Sequence, residues 1–99
     1  MQLITKELEK IIPEMYADED TKLEDKIVYA KYFLHGWSWW ILEYDKDERV
    51  FFAYVQGMES ELGYVSLDEL MNLEVHGLKV ERDLHFTPTR YGDIEELRC

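Results

Sequence analysis

The chain predicts an α+β fold: a small antiparallel sheet, built as a three-stranded meander plus one or two short edge strands, with two or three helices packed mainly on one face. Three observations carry that prediction. Residues 26–56 hold three runs rich in β-branched and aromatic side chains, separated by breaks too short for parallel crossovers. Short apolar patterns at helical spacing flank them on both sides. The charge avoids the middle of the chain: formal net charge is −11 over 99 residues, yet residues 27–42 hold Lys31 as their one charged side chain.

Leu3, Leu8, Ile11, Ile12 and Met15 recur near helical spacing, Thr5 offers a cap and Pro13 a stop, so a helix is expected at about 4–12. Residues 17–25 are polar and acidic, an exposed connection. The first strand, 26–34, is expected to set Ile27, Tyr29, Lys31 and Phe33 against Val28, Ala30, Tyr32 and Leu34 on the opposite face. His35-Gly36 makes a tight turn into the second strand, 37–44, with Trp40, Leu42 and Tyr44 opposite Trp39, Ile41 and Glu43. A polar loop over 45–48 leads to the third, 49–56, with Phe52 and Tyr54 opposite Phe51, Ala53 and Val55. Residues 62–65 read as a short strand. Ser66 followed by Glu69 has the form of a capping box, opening a helix over 67–73 with a stripe of Leu67, Leu70 and Met71. A last edge strand is expected at 82–86 and a frayed turn at 93–98. With no repeat, low-complexity tract or linker, residues 1–99 read as one domain.

Composition bounds the function. Apolar residues at 46% support a folded core despite the acidity. The acidic balance disfavours bare nucleic acid and anionic membrane as partners. The chain start lacks a basic and apolar leader, no run approaches the ~20 apolar residues of a membrane span, and Cys99 as sole cysteine excludes a disulfide framework. A cytoplasmic protein is therefore expected, with Cys99 a frayed terminal thiol.

Chemistry-bearing constellations are sparse. His35, His76 and His85 form no metal-ligand pattern, and Glu74 with His76 has a spacing common by chance. The serines lack a nucleophile setting, and the five glycines form no phosphate loop. No catalytic residue, metal or cofactor is expected. Arg82, between Glu81 and Asp83, reads as structural, pinning the last strand. Large rings fall on both sheet faces, so one face is expected to remain a partly wet aromatic surface.

Several stretches occur together in order: residues 23–33 (LEDKIVYAKYF), 37–40 (WSWW), 43–45 (EYD), 59–70 (ESELGYVSLDEL) and 80–88 (VERDLHFTP). As an ordered set they resemble the bacterial domain of unknown function 2958 (DUF2958) family, over residues 11–89. The resemblance implies a bacterial or phage source, often on plasmids and integrative elements; it carries no catalytic residues.

The expected function is non-enzymatic protein binding, in a monomer or weak homodimer, through an aromatic anchor at Trp37 or Trp39 with an acidic rim of Glu59 and Glu61. The expected partner is a protein, plausibly a basic one. A second reading makes the carboxylates a DNA mimic acting against restriction or defence enzymes, and a third an uncharacterised hydrolase that would need a pocket with a perturbed carboxylate or histidine.

Overall fold

The computed structural model describes residues 2–97. Cys99 and Arg98 lie outside them. The chain is α+β. Helix α1 (Lys6–Ile11) is followed by a 3-10 turn at Leu23–Asp25 and strands β1 (Ile27–Val28), β2 (Ala30–Leu34), β3 (Trp37–Asp45), β4 (Val50–Gln56) and β5 (Ser60–Ser66). Helix α2 (Leu67–Asn72), short strands β6 (Glu74–Val75), β7 (Leu78–Lys79), β8 (Glu81–Arg82) and β9 (Thr89–Arg90), and 3-10 turns at Tyr91–Asp93 and Glu95–Leu97 complete it.

The main sheet is fully antiparallel, five-stranded, and ordered β5-β4-β3-β2-β8. It is larger than the predicted meander, and two α-helices are present among the described residues; of the turn expected at 93–98, the described part is 3-10 at Glu95–Leu97. The stretch 62–65 is the middle of a seven-residue strand, whereas the strand expected at 82–86 is confined to Glu81–Arg82. Beyond it Asp83 accepts the His85 N–H at 2.9 Å and turns the chain away. His35-Gly36 and His76-Gly77 both hold two consecutive positive φ angles, the hairpin geometry that matches strand twist. The second of these makes the β6–β7 hairpin. The two imidazoles meet edge to face with centroids 5.7 Å apart.

Two departures from strict alternation reshape the sheet. The predicted strand 26–34 breaks at Tyr29: β1 pairs with β9, and only β2 joins the main sheet. Val28 therefore packs with Trp40 and Leu42, not with Ala30, Tyr32 and Leu34. In β3 a bulge lets Ile41 face Ala53 while Glu43 faces Phe52, so Leu42 is the extra residue. Tyr44 is thereby moved onto the face of Trp39 and Ile41, and Glu43 to the other.

Both faces of the sheet are covered. On the first, Leu3 and Ile12, which flank α1, and Leu67 and Leu70 of α2 pack on Tyr32, Trp39, Ile41 and Phe51. On the second, Ile94, with the half-buried Leu23, Phe86, Tyr91 and Leu97, packs on Val28, Trp40 and Leu42. The expected wet aromatic face is thus corrected: the C-terminal segment crosses back over it, held by Arg90, which donates to Asp25 at 2.8 Å and to Asp93 at 3.0 Å. No helix among the described residues is long and apolar enough to cross a membrane.

Candidate functional site

Of the four residues expected to make contacts, Trp37, Trp39 and Glu61 share the first face and Glu59 lies in the adjoining β4–β5 turn, with unequal exposure. Trp39 is 6% exposed and belongs to the core. Trp37, one pleat further out, is 41% exposed and stacks on Trp39 with centroids 6.2 Å apart and planes at 23°. Its ring lies so close over Gly57 that a Cβ there would approach it to 2.3 Å. The indole is therefore held flat between a tryptophan and bare backbone. Trp39 supports; Trp37 presents.

Both acids come from the β4–β5 side of this ring. Trp39 is opposite Val55, and Val55 opposite Glu61, which sets Glu61 on the same face two strand spacings away, about 10 Å. The Glu59 carbonyl accepts the Gly57 N–H at 3.0 Å, so the turn that bears the Trp37 ring also carries this second exposed acid.

Ser66 Oγ accepts the Glu69 N–H at 3.2 Å, capping α2. Arg82 Nε donates to the Gln2 carbonyl at 3.3 Å, joining the last strand to the N-terminal segment.

Sequence reasoning missed Glu43, which is 3% exposed. Its carboxylate accepts the N–H groups of Tyr16 at 3.0 Å and Asp18 at 3.1 Å, and lies 3.9 Å from the Lys26 ammonium. Lys26 also donates to the Asp18 carbonyl. With the Tyr44 N–H donating to Pro13 O at 3.0 Å, this node closes the edge of β3 with the 13–18 loop. The signal available was one acid within an apolar run, Trp39 to Tyr44. The carboxylate is engaged in holding a loop.

Among the described residues the hollows include one of about 870 Å³ between α1 and the β3–β4 turn, lined by Lys6, Glu9, Lys10, Tyr16, Tyr44 and Asp47. Another, of about 450 Å³, lies beside β8, lined by Phe33, Arg82, Leu84 and His85. A third, of about 420 Å³, lies between the two His-Gly turns, lined by His35, Gly77 and Leu78. None of these is lined by Trp37. Among the described residues no three His, Cys, Asp or Glu side chains converge to hold a metal.

The cations Lys26, Lys31, Arg49 and Arg90 are ion-paired within the chain. Arg49 pairs with Asp68 at 2.9 Å, and its hydrogen bond and charge there raise the guanidinium pKa. Arg90 is raised likewise by Asp93 and then Asp25. Lys31 pairs with Glu96 at 2.9 Å while lying 4.7 Å from the Trp40 ring centroid.

Fold and site together define a small α+β domain, covered on both sheet faces, in which a half-exposed Trp37 stacks on Trp39, and Glu59 and Glu61 are exposed on the β4–β5 side. The chain belongs to the family described as "Protein of unknown function (DUF2958)", whose model matches residues 3–91. No curated protein and no solved structure matches it.

Proposed function

We propose that this domain is a non-enzymatic protein-binding module in a bacterial, mobile-element setting, with Trp37 as anchor, Trp39 as its support, and Glu59 and Glu61 as an acidic rim. One observation carries the reading: a tryptophan 41% exposed yet fixed on both sides, by the Trp39 ring and the Gly57 backbone. A pre-ordered aromatic ring loses little side-chain freedom on docking, and tryptophan is a favoured hot-spot residue. The partner that suits it has an apolar pocket bordered by basic side chains.

The test is capture of binding proteins from a bacterial lysate by wild-type protein and by Trp37→Ala, at low and at high salt. A control is Leu84→Ala, exposed elsewhere. The expected result is a protein retained at high salt by wild type and control and lost by Trp37→Ala. Capture that is indifferent to Trp37→Ala and collapses with salt would favour the DNA-mimic reading, in which the carboxylates make the main contact.

A further inference from the structure

We infer that the outer edge of β5 is a second recognition element, which accepts an extended basic segment of a partner protein as a sixth strand. The inference rests on the protein-binding reading for the class of partner, but not on Trp37.

The hydrogen-bond phase of β5 follows from its two ends. Leu67 N–H donates to Arg49 O at 2.9 Å, and Gly57 N–H to Glu59 O at 3.0 Å. Hydrogen-bonded pairs recur every second residue in an antiparallel ladder. The intervening bonded pairs are therefore Phe51 with Val65, Ala53 with Gly63 and Val55 with Glu61, in an unbroken register. Ser60, Leu62 and Tyr64 consequently direct their N–H and C=O groups away from β4. β5 ends the sheet, and among the described residues no strand lies on its outer side.

Proteins usually shorten, cover or interrupt such edges. This molecule does so elsewhere: β8, the opposite edge, is two residues long, and the exposed part of β3 is closed by the Pro13 carbonyl. β5 has seven residues, no proline and no lysine.

Charge selects the occupant. Residues 50–78 contain Glu59, Glu61, Asp68, Glu69 and Glu74 and no lysine or arginine. A second copy of the chain would bring −11 against −11. A strand with basic residues on the Glu61 face and apolar residues on the other, beside the exposed Leu62 and Tyr64, satisfies both faces and the backbone together.

The experiment reads amide hydrogen exchange of the whole protein by NMR. The probes are an end-blocked octapeptide alternating lysine and valine, the same eight residues in block order, and the alternating peptide with every backbone amide methylated. The alternating peptide is expected to slow the outward N–H groups of Leu62 and Tyr64 at least about tenfold, saturably, and to bind about tenfold more tightly than either control. Leu62→Pro removes one outward donor and none from the β4 ladder, and Glu61→Lys reverses the guiding charge; each should weaken binding about tenfold. Should Leu62→Pro fail to fold, the exchange result on wild type stands by itself. Trp37→Ala should leave the slowing intact, so failure here and failure of the anchor reading are distinguishable. Equal binding of all three peptides would overturn the inference in favour of a plain acidic surface. Slowing that needs no peptide and grows with protein concentration would overturn it in favour of self-pairing.

Discussion

The Tyr32 hydroxyl donates to the Leu3 carbonyl at 2.6 Å, and Tyr32 has no solvent exposure. Burial, the largest cause, raises the phenol's pKa well above the ordinary value; the Arg82 charge opposes this and Tyr44 adds to it. Below the unfolded phenol's pKa of about 10, both states hold the proton and the contribution is fully present. As pH rises through about 10 the unfolded chain gives up its proton while the native phenol keeps it, so stability falls. Tyr32→Phe is expected to cost about 1–3 kcal/mol near neutrality, because the Leu3 carbonyl is left buried without its donor, and to make the alkaline loss shallower. Urea midpoints at about pH 7 and about pH 11 check both; an unchanged alkaline slope would show that other tyrosines set it. At this scale the sequence was partly legible. Residues with local roles, such as Ser66 beside Glu69, could be read from spacing. Glu43 could not, since its partners are distant in sequence: Asp18 lies in a stretch that reads only as an exposed connection, Lys26 reads as the start of a strand, and Tyr16 falls in no predicted element.

At the scale of elements, what was legible is what local physics decides. α2 begins where Ser66 caps it and buries Leu67 and Leu70, as the capping signal and apolar spacing implied. Six residues are too few to hold a helix without such support, because nucleation costs more than so few hydrogen bonds return. Ser66→Ala is therefore expected to lower stability by about 1 kcal/mol, seen as a reduced denaturant midpoint with an unchanged slope. A change within error would mean that packing of Leu67 and Leu70 alone fixes the helix. The β3 bulge was not legible, because alternation assumes one residue per step on both strands. Only the register of β4, with Ala53 and Phe52 opposite Ile41 and Glu43, shows that Leu42 is supernumerary. The break at Tyr29 is hidden for the same reason: the partner of β1 is β9, some sixty residues on, and no local pattern announces it.

At the scale of the molecule, the acidic charge and the aromatic content are reconciled by coverage. The sequence suggested too many rings for one buried face, and the structure answers with a second lid drawn from the least regular part of the chain. The 3-10 turns after β9 carry no strong periodicity, so their apolar residues looked incidental. Yet Ile94 is 7% exposed and packs with Trp40 and Leu42. If the tail is part of the core, Ile94→Ala should behave as a core truncation, costing about 2–5 kcal/mol through lost burial and the cavity left over Trp40. If it merely rests on a sheet stable without it, the cost should stay within about 0.5 kcal/mol, as for a surface site. Denaturant unfolding separates these values, and Trp40 supplies a local reporter: its indole Nε1 donates to Gln56 at 2.9 Å from a fully buried ring. Opening the lid should admit water to that ring and shift tryptophan emission to longer wavelength before the protein unfolds globally. A single cooperative transition with no such early shift would mean that lid and sheet unfold as one unit, making the second face as integral to the fold as the helical one.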